Sequence, residues 1–368
     1  MWNKGLYLEN IDRIKPIILE KQGNDIYFLR KGNMNNKDKY VLITGVAGLI
    51  GSNMADYISQ HHKEYGIIGI DNLFGGYLDN VNQDVILFTR DLSTDDISDI
   101  FQHYNIEYVF HFACYAAEGL SPFVRMFNWK NNAVSTANII NCCIEYNVKR
   151  LVYTSSMSVY GHGTGKGRFD ETDIPCPVDP YGISKYACEM DIQVAGEQHG
   201  LDWCIIRPHN VYGKKQNIWD KYRNVLGIWM YQILHNQPML IYGDGEQTRA
   251  FTCVDDILEP LWNAATKKEA SMEIINLGNK KGYTINEAAK ILSDISGYDK
   301  IEHKEARFEV KNAVPTFEKS VNILGFEDKT PLEKGLRLML EWAKSQPDRE
   351  RFKWENYEIN KGLYSYWK

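Results

Sequence analysis

The chain has 368 residues, 44% of them apolar and 24% charged, with a formal net charge of −6 and a pI near 5.9. That balance suits a soluble globular protein with a large core, and the acidic excess argues against a general nucleic-acid binder. No apolar run approaches the ~18 residues of a membrane span, and charges at Lys4, Glu9, Asp12 and Arg13 leave no signal-peptide core. A cytoplasmic protein without membrane partners is expected.

Residues 1–39 precede the first strong strand and end in a polar run from Lys31 to Lys39. They are read as an appendage and not as a domain. Tyr40-Val-Leu-Ile-Thr44 is then a short buried strand, followed directly by Gly45-Val-Ala-Gly48-Leu-Ile-Gly51 and a helix from Ser52 to Gln60. Strand, glycine turn and helix in that order suit a pyrophosphate. Glycines let the backbone come close, and the helix N-terminus offers free N–H groups. The next strand, Gly66 to Ile70, ends in Asp71. An acidic residue about 20 positions after the glycine turn accepts from ribose hydroxyls and repels a 2′-phosphate, so NAD is expected and not NADP.

Val85 to Phe88 is another strand, after which Asp91 is placed to accept from an adenine amino group. Tyr108 to Cys114 is a fourth; His111 within it reads as a packed strand residue, and small Ala113 lets the backbone pass near a cofactor. Asn128 to Asn147 reads as one long helix, in which Asn132 ties down a neighbouring backbone group. Arg150 to Ser156 is a further strand. Strands alternating with helices in this rhythm imply an α/β, doubly wound parallel sheet.

Two pieces then carry chemistry. Ser156 ends a buried strand, and Tyr181 and Lys185 stand four apart at the opening of a helix. Positions i and i+4 share a helix face, so phenol and ammonium point to one place. A free tyrosine titrates near pH ~10; a nearby cation favours the phenolate and draws it toward the working range of a base. The Ser156 hydroxyl is expected to hydrogen-bond the same substrate oxygen. Gly161 to Gly167, between the two pieces, lacks the spacing of a phosphate-binding loop and reads as a surface turn.

Beyond Arg207-Pro-His-Asn210-Val-Tyr-Gly213 the rhythm changes. Helices are expected over about 225–236, 256–266 and 284–296, with a last one through Trp342, and late strands at Met239–Tyr242 and Ile274–Gly278. The seven cysteines, at 114, 142, 143, 176, 188, 204 and 253, follow no metal-ligand spacing and read mostly as reduced, buried thiols, with no metal site.

The glycine triplet, Asp71, Asp91, Ser156, Tyr160-Gly161, Tyr181/Lys185 and Arg207-Pro-x-Asn210 together resemble the extended short-chain dehydrogenase/reductase family, the NAD-dependent nucleotide-sugar epimerases and dehydratases. The resemblance runs from Tyr40 to about Trp342. It implies a Rossmann-type cofactor domain over 40–206 with a return segment at about 250–278. A smaller, mostly C-terminal α/β substrate domain then covers 207–249 and 279–345, followed by a tail, 346–368. The cofactor contacts it implies are Gly45, Gly48, Leu49, Ile50, Gly51, Asp71, Asn72, Asp91, Leu92, Ala113, Asn132, Tyr181, Lys185 and Pro208. For the substrate, a nucleotide-diphospho-sugar, it implies Ser156 and Asn210, with Arg249 and Arg307 on the diphosphate and Glu309 on a ribose; guanidinium forks suit such anions. The motif at Arg307 is one residue short.

The resemblance also bears on the reaction. In the 4,6-dehydratases acidic residues follow the hydroxyl matched by Ser156, and decarboxylases carry Glu two residues on; here Met157 and Ser158 stand there. A 4-epimerase is expected, with Tyr181 as acid–base and a transient 4-keto sugar. A reductase and a catalytically silent nucleotide-binding regulator are the alternatives; the first conflicts with Asp71, the second with the intact Tyr181/Lys185 pair. A homodimer is implied, with Ala133, Ala137, Ile140, Cys188, Ile192 and Ala195 as the candidate stripe; the same stripe suits the subunit's own core equally. Counting from Glu309 puts Ala313 at the sugar pocket, where a small side chain leaves room for a C2 substituent.

Overall fold

The computed structural model describes residues 37–163, 167–307 and 310–367, and the backbone of 17–22 and 25–30. Strands β1 (Ile17–Gln22) and β2 (Asp25–Arg30) pair as an antiparallel hairpin. The first lobe continues with β3 (Tyr40–Thr44), α1 (Leu49–His61), β4 (Gly66–Ile70), β5 (Val85–Phe88), α2 (Ser98–His103) and β6 (Ile106–His111). Helix α3 (Arg125–Trp129) runs through a π-type turn at 130–134 into α4 (Ser135–Glu145), followed by β7 (Arg150–Thr154), α5 (Pro180–His199) and β8 (Trp203–Pro208). The expected helix 128–147 is present as one continuous helical run from 125 to 145, widened by a π-type segment at 130–134.

The C-terminal elements are β9 (Val211–Tyr212), α6 (Val225–Leu234), β10 (Met239–Tyr242), β11 (Thr248–Arg249), β12 (Thr252–Cys253) and α7 (Val254–Thr266). After them come β13 (Glu273–Leu277), β14 (Tyr283–Thr284), α8 (Ile285–Ser296), β15 (Ile301–Lys304), β16 (Asn312–Ala313) and α9 (Leu332–Lys344). The central sheet has the order β1-β2-β5-β4-β3-β6-β7-β8-β13. Its seven strands from β5 to β13 are parallel, and β2 joins β5 antiparallel, so the N-terminal hairpin extends the sheet. This is the Rossmann-like doubly wound fold.

Parallel strands are covered on both faces, which is why they read as unbroken apolar runs. All five residues of β3 and of β7 are buried. Met54, Ile58, Leu261 and Trp262 pack on one face through α1 and α7; Ile139, Cys143, Cys188 and Ile192 pack on the other through α4 and α5. A third core, around Trp229, Phe251, Leu292 and Leu336, belongs to the C-terminal elements. Local signals set several helix ends. Thr284 and Glu287 form a reciprocal capping box on α8, and Asp179 with Pro180 opens α5.

Of the cysteines, all seven are unbridged and five are buried, but Cys176 is exposed and Cys114 half-buried. His111 is a packed strand residue, held between Thr44 Oγ1 at 2.6 Å and Thr136 Oγ1 at 3.0 Å. Gly161 has φ of 56°, and a Cβ there would lie 1.9 Å from the Cys176 carbonyl. The turn is tight for that reason, although residues 164–166 lie outside those described.

Candidate active site

The C-terminal ends of the parallel strands open into one cleft, lined along its length from Gly45 to Arg307 by residues of the sheet unit and of the C-terminal elements. This is the switch-point position at which open α/β sheets bind ligands.

At its centre the sequence brings three groups together. Asp179 Oδ1 accepts from Gly182 N at 2.8 Å, and the Tyr181 N–H donates to Ser121 Oγ at 3.1 Å, which fixes the first turn of α5. One turn on, Lys185 Nζ donates to the Thr154 carbonyl at 2.7 Å and lies 4.7 Å from the Tyr153 ring centroid. Ser156, two residues past β7, lines the cleft beside Tyr181, and its Oγ accepts from Ser158 N at 3.1 Å. Ser156 and Tyr181 line the cleft; Lys185, 1% exposed, stands behind them.

The electrostatics differ from the expectation in one respect. Burial raises the Tyr181 pKa well above the usual tyrosine value, Cys114 and Glu118 push it further up, and the nearby Ser156 hydroxyl pulls the other way. Lys185 Nζ is anchored on the Thr154 carbonyl. The phenol by itself is a proton donor. To act as a base it needs further positive charge in the cleft.

The residues at one end fit a dinucleotide. Gly45 has φ of 67°, and a Cβ on it would meet Ala113 N at 2.9 Å; Gly51 would meet the Gly45 carbonyl at 2.3 Å. Only glycines allow this close turn. Helix α1 starts at Leu49 without a side-chain cap, so its first N–H groups are left for an anion. Gly48, Leu49, Ile50, Asp71, Asn72, Asp91, Leu92, Ala113 and Pro208 all line this part of the cleft.

Asp71 Oδ2 accepts from Ala47 N at 2.9 Å and Oδ1 from Leu73 N at 2.7 Å, so the carboxylate also shapes the glycine turn. Burial raises its pKa; the two N–H donors and the Arg223 charge oppose that. Asp91 is partly engaged by Ser93, whose N and Oγ lie 2.9 and 2.7 Å from Oδ1. The buried Ser155 Oγ has no partner among the described residues and faces the same cleft. Asn132 ties down a neighbouring backbone group as expected, its Oδ1 accepting from Tyr115 N at 3.0 Å and its Nδ2 donating to Asn128 Oδ1 at 2.9 Å, but it is buried and does not line the cleft with the other cofactor candidates. Its role here is to brace the segment after β6.

At the other end stand Asn210, Arg249 and Arg307. Asn210 takes a left-handed φ of 39° and donates from Nδ2 to Met157 Sδ at 3.5 Å. Arg249 Nη1 donates to the Thr248 carbonyl at 2.8 Å. Arg307 lies over the Tyr242 ring, 3.4 Å from its centroid. Glu309 lies outside the described residues. Ala313 is fully buried in β16, packed with Met157, Val159, Tyr160 and Phe169, and Val310 lines the cleft instead. The counted position does not itself line the cleft.

Sequence reasoning missed several cleft residues. Arg223 reaches in from a polar stretch with no period, its Nε bonded to Asp220 Oδ2 at 2.9 Å and its guanidinium over the Tyr115 ring. Cys114 and Glu118 could have been found, since both directly follow a strand that ends at the cofactor turn. Tyr242 and Tyr364 carried no local signal.

Comparison with known proteins agrees with this geometry. The profile of the NAD dependent epimerase/dehydratase family matches residues 41–278. The chain belongs to that family, and its cofactor is NAD. The UDP-glucose 4-epimerase of Thermotoga maritima, solved with UDP-glucose, is 32% identical with a TM-score of 0.79, over 83% of this chain and 98% of that one. The UDP-glucuronic acid 4-epimerase of Bacillus cereus, solved with UDP-glucuronic acid and NAD, is 27% identical with a TM-score of 0.76, over 83% and 99%. The dTDP-D-glucose 4,6-dehydratase of Homo sapiens is 30% identical over 342 residues, 87% of this chain and 93% of the relative.

Proposed function

We propose that the chain is an NAD-dependent epimerase that inverts C4 of a nucleotide-diphospho-sugar. One observation carries the reading. Ser156 and Tyr181 line one cleft with Lys185 buried behind them, and Met157 and Ser158, which by the family resemblance stand where a dehydratase carries its acid and base, line the same cleft without a carboxylate.

When bound, NAD accepts a hydride from C4 of the sugar and gives it back. The chain does the rest. Tyr181 takes the proton of the 4-hydroxyl and later returns it, while Ser156 holds the same oxygen. Lys185, anchored on Thr154, fixes the far side of the Tyr181 turn. Arg249 and Arg307 hold the diphosphate, so the 4-keto sugar turns over without leaving, and no net oxidation results. Two such subunits pair through the exposed faces of α3 and α5.

A 4,6-dehydratase is the second reading, and Glu118 favours it: a carboxylate on the cleft wall whose charge reaches Tyr181. Proton NMR of UDP-glucose, UDP-galactose and their N-acetyl and uronic analogues with the purified protein decides between them. An epimerase interconverts a gluco and a galacto pair. A dehydratase produces a 6-methyl doublet and a 4-keto sugar. If no sugar changes while NAD binds, the enzyme reading fails in favour of a nucleotide-binding regulator.

A further inference from the structure

The family profile ends at residue 278, yet residues well beyond it complete the cleft. After α9 the chain crosses from one lobe to the other. The Phe352 N–H donates to the Trp219 carbonyl at 3.0 Å, and the hydroxyls of Tyr357 and Tyr222 lie 2.6 Å apart. Both oxygens of Glu358 then accept from α3 in the first lobe, from Met126 N at 2.8 Å and Phe127 N at 2.9 Å. Trp367 is buried edge-on against Phe123 and Tyr222, with centroids 5.9 and 5.0 Å away. Tyr364 lines the cleft itself.

Arg307 is where this segment meets the site. Its guanidinium lies 3.4 Å from the Tyr242 centroid, 5.6 Å from Tyr366 and 5.7 Å from Trp367. Nε and Nη2 are buried and have no hydrogen-bond acceptor among the described residues. A carboxylate neighbour would satisfy those N–H groups and cancel the charge. Aromatic faces hold the cation by its plane and leave the N–H edge for an anion. Burying such an edge without an acceptor is costly, so the site is built for an anionic ligand.

We propose that residues 352–367 form a specificity wall of the substrate site, in which Tyr366 and Trp367 position Arg307 for a nucleoside diphosphate and Tyr364 closes the cleft over the ligand. This rests on the nucleotide-sugar reading above. Tyr366 and Trp367 act through Arg307; Tyr364 faces the ligand directly.

The test is calorimetric titration of the full chain with UDP and with UDP-glucose, for the parent and for Arg307→Met, Tyr366→Leu/Trp367→Leu and all three changes together. The aromatic pair should lose about tenfold in UDP affinity, the worth of one desolvated cation–π contact. NAD affinity should stay unchanged, and the triple variant should be no weaker than Arg307→Met alone, since both remove one interaction. Tyr364→Ala should raise KM for the sugar nucleotide more than it lowers kcat, with Tyr364→Phe restoring it. If the leucine pair also loses NAD binding, Tyr366→Leu and Trp367→Leu singly carry the same cycle. Unchanged UDP affinity in the aromatic variants, or losses that add to that of Arg307→Met, overturns the proposal. A parent that binds NAD but none of UDP, CDP, GDP or dTDP overturns the nucleotide-sugar reading instead.

Discussion

Arg207 and Glu189 form a two-pronged ion pair sealed from water, with Nε to Oε1 at 2.9 Å and Nη2 to Oε2 at 2.6 Å and exposures of 2% and 0%. Glu189 is one turn beyond Lys185 on α5, and Arg207 stands three residues before Asn210. Arg207 Nη1 also donates to the Tyr160 hydroxyl at 2.8 Å, which donates to Asn276 Oδ1 at 2.7 Å. The pair thus locks the helix carrying Tyr181 to β8, to β13 and to the 3-10 turn that ends at Tyr160. Glu189→Gln or Arg207→Met leaves one partner buried without its counterpart and should cost about 3–5 kcal/mol in urea unfolding. Glu189→Leu with Arg207→Met should cost less than either single change. If each single variant is as stable as the parent, the pair does not hold the helix.

Tyr181→Phe should keep the fold and NAD binding and lower turnover by a factor of roughly 10²–10⁴, the usual worth of a general acid–base group. Steady-state rates on the sugar found to react are the readout. Turnover near the parental value would remove the phenol from the mechanism.

Asp71→Asn should weaken NAD binding and narrow its advantage over NADP, because a 2′-phosphate no longer meets a carboxylate. Dissociation constants for both cofactors measure this. A parallel loss for the two would mean that Asp71 serves only the Ala47 and Leu73 N–H groups of the turn.

His111 and His209 give the protein an acid limit. Burial lowers both to about 3, with Lys185 adding to the first and Arg207 to the second, while Asn276 opposes the second. The unfolded chain takes up these protons near pH ~6.5 and the folded chain does not. Their stabilising contribution is therefore complete above that pH and lost as pH falls from it toward 3. Unfolding free energies at several pH values from 7.5 to 4.5 should decline, and His111→Asn should make the decline shallower. An identical slope in the variant would refute the assignment.

For assembly, four of the six residues of the expected stripe face inward: Ile140, Cys188, Ile192 and Ala195 are buried in the subunit's own core, while Ala133 and Ala137 are half-buried. The exposed apolar residues are Met126 and Trp129 on α3, Val134 at the π-type turn, and Ile183, Met190 and Val194 on α5. We propose that this second stripe is the dimer face. Met190→Glu with Val194→Glu should give a monomer by light scattering where the parent is a dimer. A parent that is monomeric at micromolar concentration removes the proposal.

These two stripes show what the sequence could and could not tell. Both recur at helical spacing on α5, and periodicity marks an apolar face without saying what covers it. The parallel strands, the glycine turn and the Ser156–Tyr181–Lys185 set were legible because each is a local pattern with a local physical cause. Arg223, Tyr242 and the aromatic wall were not. Trp354 meets Phe74 with centroids 6.1 Å apart, a contact across most of the chain that no short window contains. The π-type widening of the helix at 130–134 was hidden because its residues have ordinary helical character. Ala313 failed for a register reason, since the shortened motif at Arg307 left its count without an anchor.

The Glu358 cap on α3 joins residues 232 positions apart, and this has a consequence for how the chain emerges during synthesis. At ~5–20 residues per second, the ribosome releases Phe74, Tyr115, Phe123 and Phe127 many seconds before the residues that cover them. Until then the first lobe presents a cluster of uncovered rings to the crowded surroundings of the ribosome, where apolar surface of that kind draws chaperones or other nascent chains.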